Sequence, residues 1–340
     1  MGQKKEVKLE DIANQLGVSI VSVSNALKGK KGVSENLRLK VQNVARQMEY
    51  TLPGSFLHRE QKSYQIGVIV AERYVKEYPS FYMEIYKQIA KAATKISSLT
   101  VLEVVDIEKE KLSCEFQIFR EAPVQGILII GEMNALFIKK VMEMSLIPIV
   151  CVDFYGVASK LDFIVTDSYH GMQQVMRKLI EYGHEDIGFI GTPLATNSIM
   201  DRYLGYCKVL CQKGIKERPE RVIFDRSKDG YDYTIDFSLP QDLPTAFVCN
   251  CEKSAQILIS KLNRRGIKIP EEISVAGFDS SYANAREGIT LTTYQSDEKA
   301  MALISVNTLL KRIEGKKKPE GVRIVEGRVI EGNTIAKRKA

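Results

Sequence analysis

Nine residues, Ser19 to Leu27, divide their side chains between two faces in a way that points to chemistry with DNA. At helical spacing Val23, Ala26 and Leu27 make one apolar stripe, which leaves Ile20, Val21, Ser22, Ser24, Asn25 and Lys28 on the other side. Ile and Val side by side on an exposed helix start are unfavourable in water. They do suit van der Waals contact with thymine methyl groups in a major groove, and Asn25 can pair bidentately with adenine. Lys28, Lys30 and Lys31 would flank that face as phosphate contacts. The competing reading is a protein-binding bundle with a solvated lysine turn, and it gives the Ile20 and Val21 pair no role.

The elements that must position these residues are also legible. Leu9, Ile12, Ala13 and Leu16 recur at i, i+3, i+4 and i+7, and Gly17 stops that helix at once. Ser19 is an N-cap type for a second helix, and Ser34 opens a third whose inner face is Leu37, Val41, Val44, Ala45 and Met48. Two short helices joined by a glycine-containing turn, closed by a third, predict a helix-turn-helix domain over residues 1–50. The formal net charge of the 340-residue chain is +7, and residues 1–60 carry ten Lys/Arg against six Asp/Glu, so over half of the excess lies in under a fifth of the length. That concentration suits a polyanionic partner.

The stretch VKLEDIANQLGVSIVSVSNALKGKKGVSENLRLKVQNVARQMEY resembles the headpiece of the LacI/GalR family of regulators. Two positions depart from the family pattern: Lys8 stands where a helix-capping Thr is usual, and Asn25 where a base-reading Arg is frequent. The family's next segment inserts a Leu into the minor groove at the dimer axis. In residues 51–63 the proline comes one residue late (Pro53) and the ARSL run is absent, so Leu57 or Phe56 as that wedge and a plain polar linker stay equally open.

From Tyr64 onward β-branched runs alternate with amphipathic stretches: QIGVIV, a helix from Phe81, LTVLEVV, GILII, a helix from Ala135, and IPIVCV. The pattern restarts at FIVTD, with helices expected over 172–182, 200–213 and 254–265 between DIGFIG, RVIF, TAFVCN and ISVAGFD. Such order predicts an α/β fold of two parallel-sheet, Rossmann-like lobes, with a ligand cleft at the carboxyl ends of the strands. IGVIV, YGHEDIGFIGTP, DRYLGY, TAFVCN, ISVAGFD and LTTYQ, in that order, are similar to the effector domain of the same family, which is periplasmic-binding-protein-like. The resemblance implies an effector-binding and dimerisation domain over 64–340, with lobe one at about 64–164 plus 293–322 and lobe two at about 165–292 plus 323–340. A helix usual in the family is missing near DGYDYTIDFSLP, within 225–244.

The same resemblance implies the effector contacts. Phe81 and Tyr82 stand at an aromatic pair that lies against the ligand, Arg202 at an arginine that grips hydroxyls or a carboxylate, Asn250 at a polar contact, and Asp279 at an acidic partner. Asp153 and Ser198 complete the set. Residue type alone equally allows Arg202 and Asp279 to be an ordinary ion pair between strand ends. Cys251 replaces the family's Asp after Asn250, which weakens the case for a plain sugar.

Other classes lack their residues. With His58, His170 and His184 outside any HExxH or GxSxG motif, no catalytic site is implied. The six cysteines lack tetrahedral spacing and read as buried free thiols, and neither a metal nor an organic cofactor is implied. The polar start and the absence of a long apolar run predict a cytoplasmic chain with no membrane partner. A solute receptor of a transport system would share the two-lobed fold, but it would need a signal peptide and would have no use for the headpiece. The expected protein is a regulator, by default a repressor, that binds a near-palindromic DNA operator as a homodimer under the control of a small molecule, a carbohydrate or a relative of one.

Overall fold

The computed structural model describes residues 7–27, 30, 32–48, 50, 63–77, 79–112, 117–120, 122–156, 160–228, 235–279, 288–316 and 318–338. The chain divides into two compact units, residues 1–63 and 64–340.

The first unit holds three helices, α1 (Leu9–Leu16), α2 (Ile20–Leu27) and α3 (Glu35–Gln47). The Lys8 N–H donates to the Asp11 carboxylate at 2.7 Å, so the missing capping side chain at position 8 is offset from the other half of a capping box. Gly17 closes α1 in the left-handed region (φ +63), with the Val18 N–H reaching the Ala13 carbonyl at 3.1 Å. Ser19 Oγ accepts the Ser22 N–H at 3.1 Å and Ser34 Oγ the Leu37 N–H at 3.3 Å, so both serines cap as their type predicts. Ile12, Ala13, Val23, Ala26, Leu27, Val41 and Ala45 form the core of the three helices.

In the second unit, lobe one contains β1 (Gln65–Ala71), α4 (Glu72–Glu77), α5 (Pro79–Thr94), β2 (Leu99–Val105), α6 (Ile107–Leu112), α7 (Gln117–Arg120), β3 (Gly126–Ile130), α8 (Ala135–Met144), β4 (Ile149–Val152) and β5 (Asp162–Thr166). Its sheet runs β11-β5-β4-β3-β1-β2, all parallel, with β11 at Val322–Val325, and Val68 at its centre faces Leu102 on one side and Leu128 on the other. β1, β3 and β4 are almost wholly buried because helices cover both faces, which explains their unbroken apolar runs.

Lobe two contains α9 (Ser168–Glu181), β6 (Ile187–Ile190), α10 (Asn197–Gln212), β7 (Val222–Ile223), β8 (Ala246–Cys249), α11 (Glu252–Arg264), β9 (Ser274–Phe278) and β10 (Thr292–Gln295), with β12 (Arg328–Ile330). The order is β12-β10-β9-β8-β6-β7, and β12 alone is antiparallel to its neighbour. α12 (Glu298–Ile313), which the periodic reading passed over, packs on α5 and on β3, β4 and β5 of lobe one.

Sheet pairing moves the lobe boundaries. β5, read above as the start of the second lobe, pairs with β4 and β11 in the first sheet. β10 pairs with β9 in the second sheet, and β11 belongs to the first. The chain therefore crosses between lobes just after Thr166, Gln295 and Val325, so the expected limits at 164, 293 and 322 each shift by two or three residues. Two helices begin earlier than their apolar spacing suggested, because Asp167 Oδ1 caps the His170 N–H at 3.1 Å and Thr196 Oγ1 the Ile199 N–H at 3.2 Å. Among the described residues of 225–244, Ile235, Phe237 and Leu239 turn alternately inward on the lobe-two core, while exposed Asp236 meets Lys261 at 2.9 Å. A period of two is that of extended chain. Cys151, Cys249 and Cys251 are buried free thiols, but Cys211 is exposed, because it falls on the outer face of α10.

Candidate functional site

Two places carry the residues singled out by the sequence. On α2 the division of faces is as the spacing predicts: Val23 and Ala26 are sealed, while Ile20 is 46% and Val21 67% exposed. Ser22, Ser24 and Asn25 on the same side are half-buried and Lys30 is exposed. The Arg38 guanidinium donates to the Lys30 carbonyl at 2.9 Å and ties the α2–α3 connection to α3. Lys28, Lys31 and Leu57 lie outside the described residues.

The second place is at the carboxyl ends of both sheets of residues 64–340. Arg202, in the second turn of α10, is buried and donates from each of its three nitrogens. Its Nε donates to Ser168 Oγ at 3.3 Å, Nη1 to the Asn250 carbonyl at 2.6 Å and Nη2 to Asp279 at 2.7 Å, while the guanidinium carbon lies 3.9 Å over the Phe278 ring. Asp279 follows β9 and Asp153 follows β4, and both take left-handed backbone (φ +55 and +67). Their N–H groups still extend the ladders, to the Tyr294 carbonyl at 2.7 Å and the Ile164 carbonyl at 2.8 Å. Asp tolerates that conformation better than most residues, and such strain gathers where a side chain must be aimed.

Asp153 is buried and bonded by Tyr82, and its carboxyl is pushed up to about 7. Burial is the main cause; Asp279 and Glu132 add to it, and Arg202 and the Tyr82 bond oppose it. Tyr82 in turn lies edge-on to half-buried Phe81, ring centres 5.0 Å apart. Phe81 and Tyr82 are thus in ring contact at the start of α5, and Tyr82 joins Asp153.

Two expected contacts are placed differently. The Asn250 side chain is 1% exposed and turned inward: its Nδ2 donates to Asp225 at 2.6 Å and to the Ile190 carbonyl at 3.0 Å, and its Oδ1 accepts from Arg226 at 3.3 Å. Only the Asn250 carbonyl reaches Arg202. The cause is the Asp225–Arg226 pair, bonded at 2.9 and 2.8 Å, which brings two charges into the lobe and needs further polar partners. Burial works to raise the Asp225 carboxyl, but Arg226, Ser254 and Asn250 together hold it below the ordinary carboxylate range. Ser198 bonds Thr196 Oγ1 at 3.1 Å within its own turn, so its hydroxyl is spent on the helix start.

Four residues that the sequence reading missed join the lobes across the cleft. Glu132, after β3, accepts the Asn197 N–H at 2.7 Å and its Nδ2 at 3.3 Å, and that same amide donates to the Tyr155 carbonyl at 2.7 Å. The Tyr155 hydroxyl donates to Asp201 at 3.0 Å. Burial first of all lifts both the Glu132 and Asp201 carboxyls above their ordinary values. The available signal was positional: Glu132 and Tyr155 closely follow apolar strand runs, and Asp201 adjoins Arg202. Among the described residues no group of three or more His, Cys, Asp or Glu is arranged to hold a metal, and no helix is long and apolar enough to cross a membrane.

Residues 8–52 match the lacI family of bacterial regulatory proteins, and residues 176–335 match a periplasmic binding protein-like domain. The chain is 26% identical over 320 residues to the HTH-type transcriptional repressor PurR of Pasteurella multocida strain Pm70, covering 92% of this chain and 94% of the relative. In fold it is similar to a transcriptional regulator CelR–cellobiose complex (TM-score 0.67, 19% identity, 97% of this chain and 100% of the other). It is also similar to a lac repressor dimer bound to operator and the anti-inducer ONPF (TM-score 0.66, 19% identity, 98% and 100%).

Proposed function

We propose that this chain, which matches the lacI family of bacterial regulatory proteins over residues 8–52 and a periplasmic binding protein-like domain over residues 176–335, is a repressor of that family whose grip on a near-palindromic operator is set by a small molecule held between its two lobes. The observation that carries the DNA half is the exposed Ile20 and Val21 pair on the Ser19-capped start of α2, opposite a sealed Val23 and Ala26. A helix built this way presents apolar surface and Asn25 to base edges without disturbing its own core.

For the ligand half, Phe81, Tyr82, Asp153, Arg202 and Asp279 supply aromatic and charged groups at the strand ends, where open α/β sheets bind ligands. The CelR relative is named as a cellobiose complex, which supports a carbohydrate-like effector here. The backbone carbonyl, rather than the side chain, is the part of Asn250 that faces this site. Ligand and DNA are coupled through the angle between lobes, and the coupling requires that the ligand bind one lobe arrangement more tightly than the other. The lac repressor relative is named as a dimer on its operator, and two headpieces in successive major grooves about 34 Å apart would give this chain its half-site spacing. The reading involves no catalytic step, metal or cofactor.

The deciding experiment is electrophoretic mobility shift with the DNA upstream of the chain's own gene. Binding should be specific, fall steeply with salt, and change when a cleft ligand is added. A flat salt response, or sedimentation at a single chain mass while bound, would remove the reading.

A further inference from the structure

We propose that the segment from Lys311 to Arg323 gives lobe one a DNA contact of its own, in which lysines beside the amino ends of the strands meet phosphates of the duplex that the headpiece holds. This rests on the reading of the chain as an operator-binding protein, and it adds a second, sequence-independent surface outside the headpiece.

The fold puts that segment where the chain enters the lobe. The strands of lobe one are parallel, so each helix that returns between them ends beside the first residues of the strands. α12 ends there at Ile313, so near the start of β3 that a Cβ on Gly126 would lie 3.0 Å from the Ile313 side chain. Tyr64, the first residue of the second unit, is held at the same end. Its hydroxyl donates to Glu314 at 3.3 Å and its N–H to Ser98 Oγ at 3.0 Å. Residues 51–63, which join the headpiece to Tyr64, can span at most about 45 Å. DNA gripped by the headpiece is therefore tethered to this end of lobe one, and the cleft lies at the other.

This end stays positive after its carboxylates are counted. Lys311, Lys316 and Arg323 converge on the single carboxylate of Glu320, at 3.5, 2.5 and 3.0 Å, and Arg312 lies 3.7 Å from Asp162. Lys318 is exposed and meets no carboxylate among the described residues. Those five cations thus face three carboxylates, Glu314, Glu320 and Asp162. Lys91 and Lys95 at the end of α5 and Lys160 before β5 are exposed cations too, and Lys139 answers Glu143 at 3.9 Å. The undescribed residues of lobe one and of the joining segment carry Arg59, Lys62 and Lys317 against Glu60, Glu115 and Glu121, so they leave the sign unchanged.

An ordinary reason covers part of this charge. Lys311 and Arg312 suit the negative end of the α12 dipole. It does not reach Lys316, Lys317 and Lys318, which follow the helix in an unbroken run. Lysines of this kind act on a phosphate as mobile point charges and read no bases, so the contact adds affinity for any duplex and leaves base preference to α2.

The test is fluorescence anisotropy of the full chain over a salt series, with the DNA upstream of its own gene and an unrelated duplex of equal length. The triple substitution Lys316→Ser, Lys317→Ser, Lys318→Ser should lower the slope of log affinity against log salt by about 2 or more. It should weaken both duplexes by about tenfold at low salt and change their ratio by less than twofold. Lys318→Ser alone, which breaks no ion pair, should give about a third of that loss of slope. The triple substitution Lys208→Ser, Lys213→Ser, Lys216→Ser removes the same charge around the carboxyl end of α10 in lobe two and should leave the slope of the wild type. An unchanged slope in the first variant, equal losses in both triple variants, or a loss confined to the upstream DNA would overturn the inference. Wild-type binding that the first variant leaves intact removes only the lobe-one contact, whereas a wild type that binds neither duplex removes the operator reading with it.

Discussion

The Arg202 guanidinium and the Asp279 carboxylate meet at 2.7 Å at the carboxyl end of the second sheet, with their side chains only 6% and 7% exposed. A pair so placed has a structural role, and under the proposed function a recognition role as well. Removing one partner leaves the other buried and uncompensated.

Arg202→Ala should therefore lower the unfolding free energy by about 3–5 kcal/mol, the usual cost of breaking a buried pair. Arg202→Lys, which keeps the charge but loses the planar fork and its stacking on Phe278, should cost less and still abolish the effector response. Urea unfolding separates the two variants. Equal stabilities of the two variants would mean that the charge retained by Lys contributes nothing.

On α2 the exposed face and the core should behave oppositely. Replacing Ile20 and Val21 together by Ser should shift stability by less than about 0.5 kcal/mol per site, as for most surface changes, while removing specific operator binding. Asn25→Ala should relax base preference at one operator position by about 1–3 kcal/mol. Circular dichroism melting alongside gel shift is the measurement, and operator affinity unchanged in both variants would refute the assignment of this face.

Asp153 makes stability depend on pH with a definite sign. Its folded value is about 7, whereas an unfolded Asp titrates near 3.8. Between these values the native chain keeps a proton that the unfolded chain has lost. The unfolding free energy accordingly falls as pH rises through that window, and the full cost is present above the folded value. Asp153→Asn should be the more stable protein at pH 8, by on the order of 2–4 kcal/mol, with the gain vanishing near pH 4. Denaturation curves at the two pH values that show the same difference would remove Asp153 as the source.

Gly205 should tolerate no side chain. A Cβ there would stand 2.5 Å from the Tyr169 carbonyl, which is backbone and cannot swing away, so α9 and α10 would have to separate. Gly205→Ala should cost about 1–3 kcal/mol, the range for overpacking, and lower the melting temperature by several degrees. A neutral or stabilising outcome would show that the two helices slide apart freely.

Sequence periodicity located most strands and long helices but not α4, α6, α7, α12 or β11, and the expected lobe boundaries shift by two or three residues. β5 and β10 are apolar runs like any other, and nothing local says which sheet each joins; only pairing of Val150 with Asp162, or of Thr292 with Ala276, decides it. α12 was passed over because one of its buried faces is assembled from Met301, Ala302, Ser305 and Thr308, which dilutes the apolar stripe. For the site, the resemblance named Arg202, Asp279 and Asp153 as effector contacts, and the structure places Asp279 and Asp153 just after strands and Arg202 on α10 against Asp279, but the inward turn of Asn250 was not visible, since its cause is an ion pair 24 residues away in the chain.

What the amino-acid sequence determined by itself is local: the caps at Ser19 and Ser34, the face of α2, and the apolar strands, all written in spacings of two to four residues. The tertiary structure alone decided how charge is shared in the cleft. Whether Glu132 meets an arginine or the Asn197 N–H, 65 positions on, depends on two lobes closing from discontinuous chain, and electrostatic pairing follows distance in space, which local pattern does not encode.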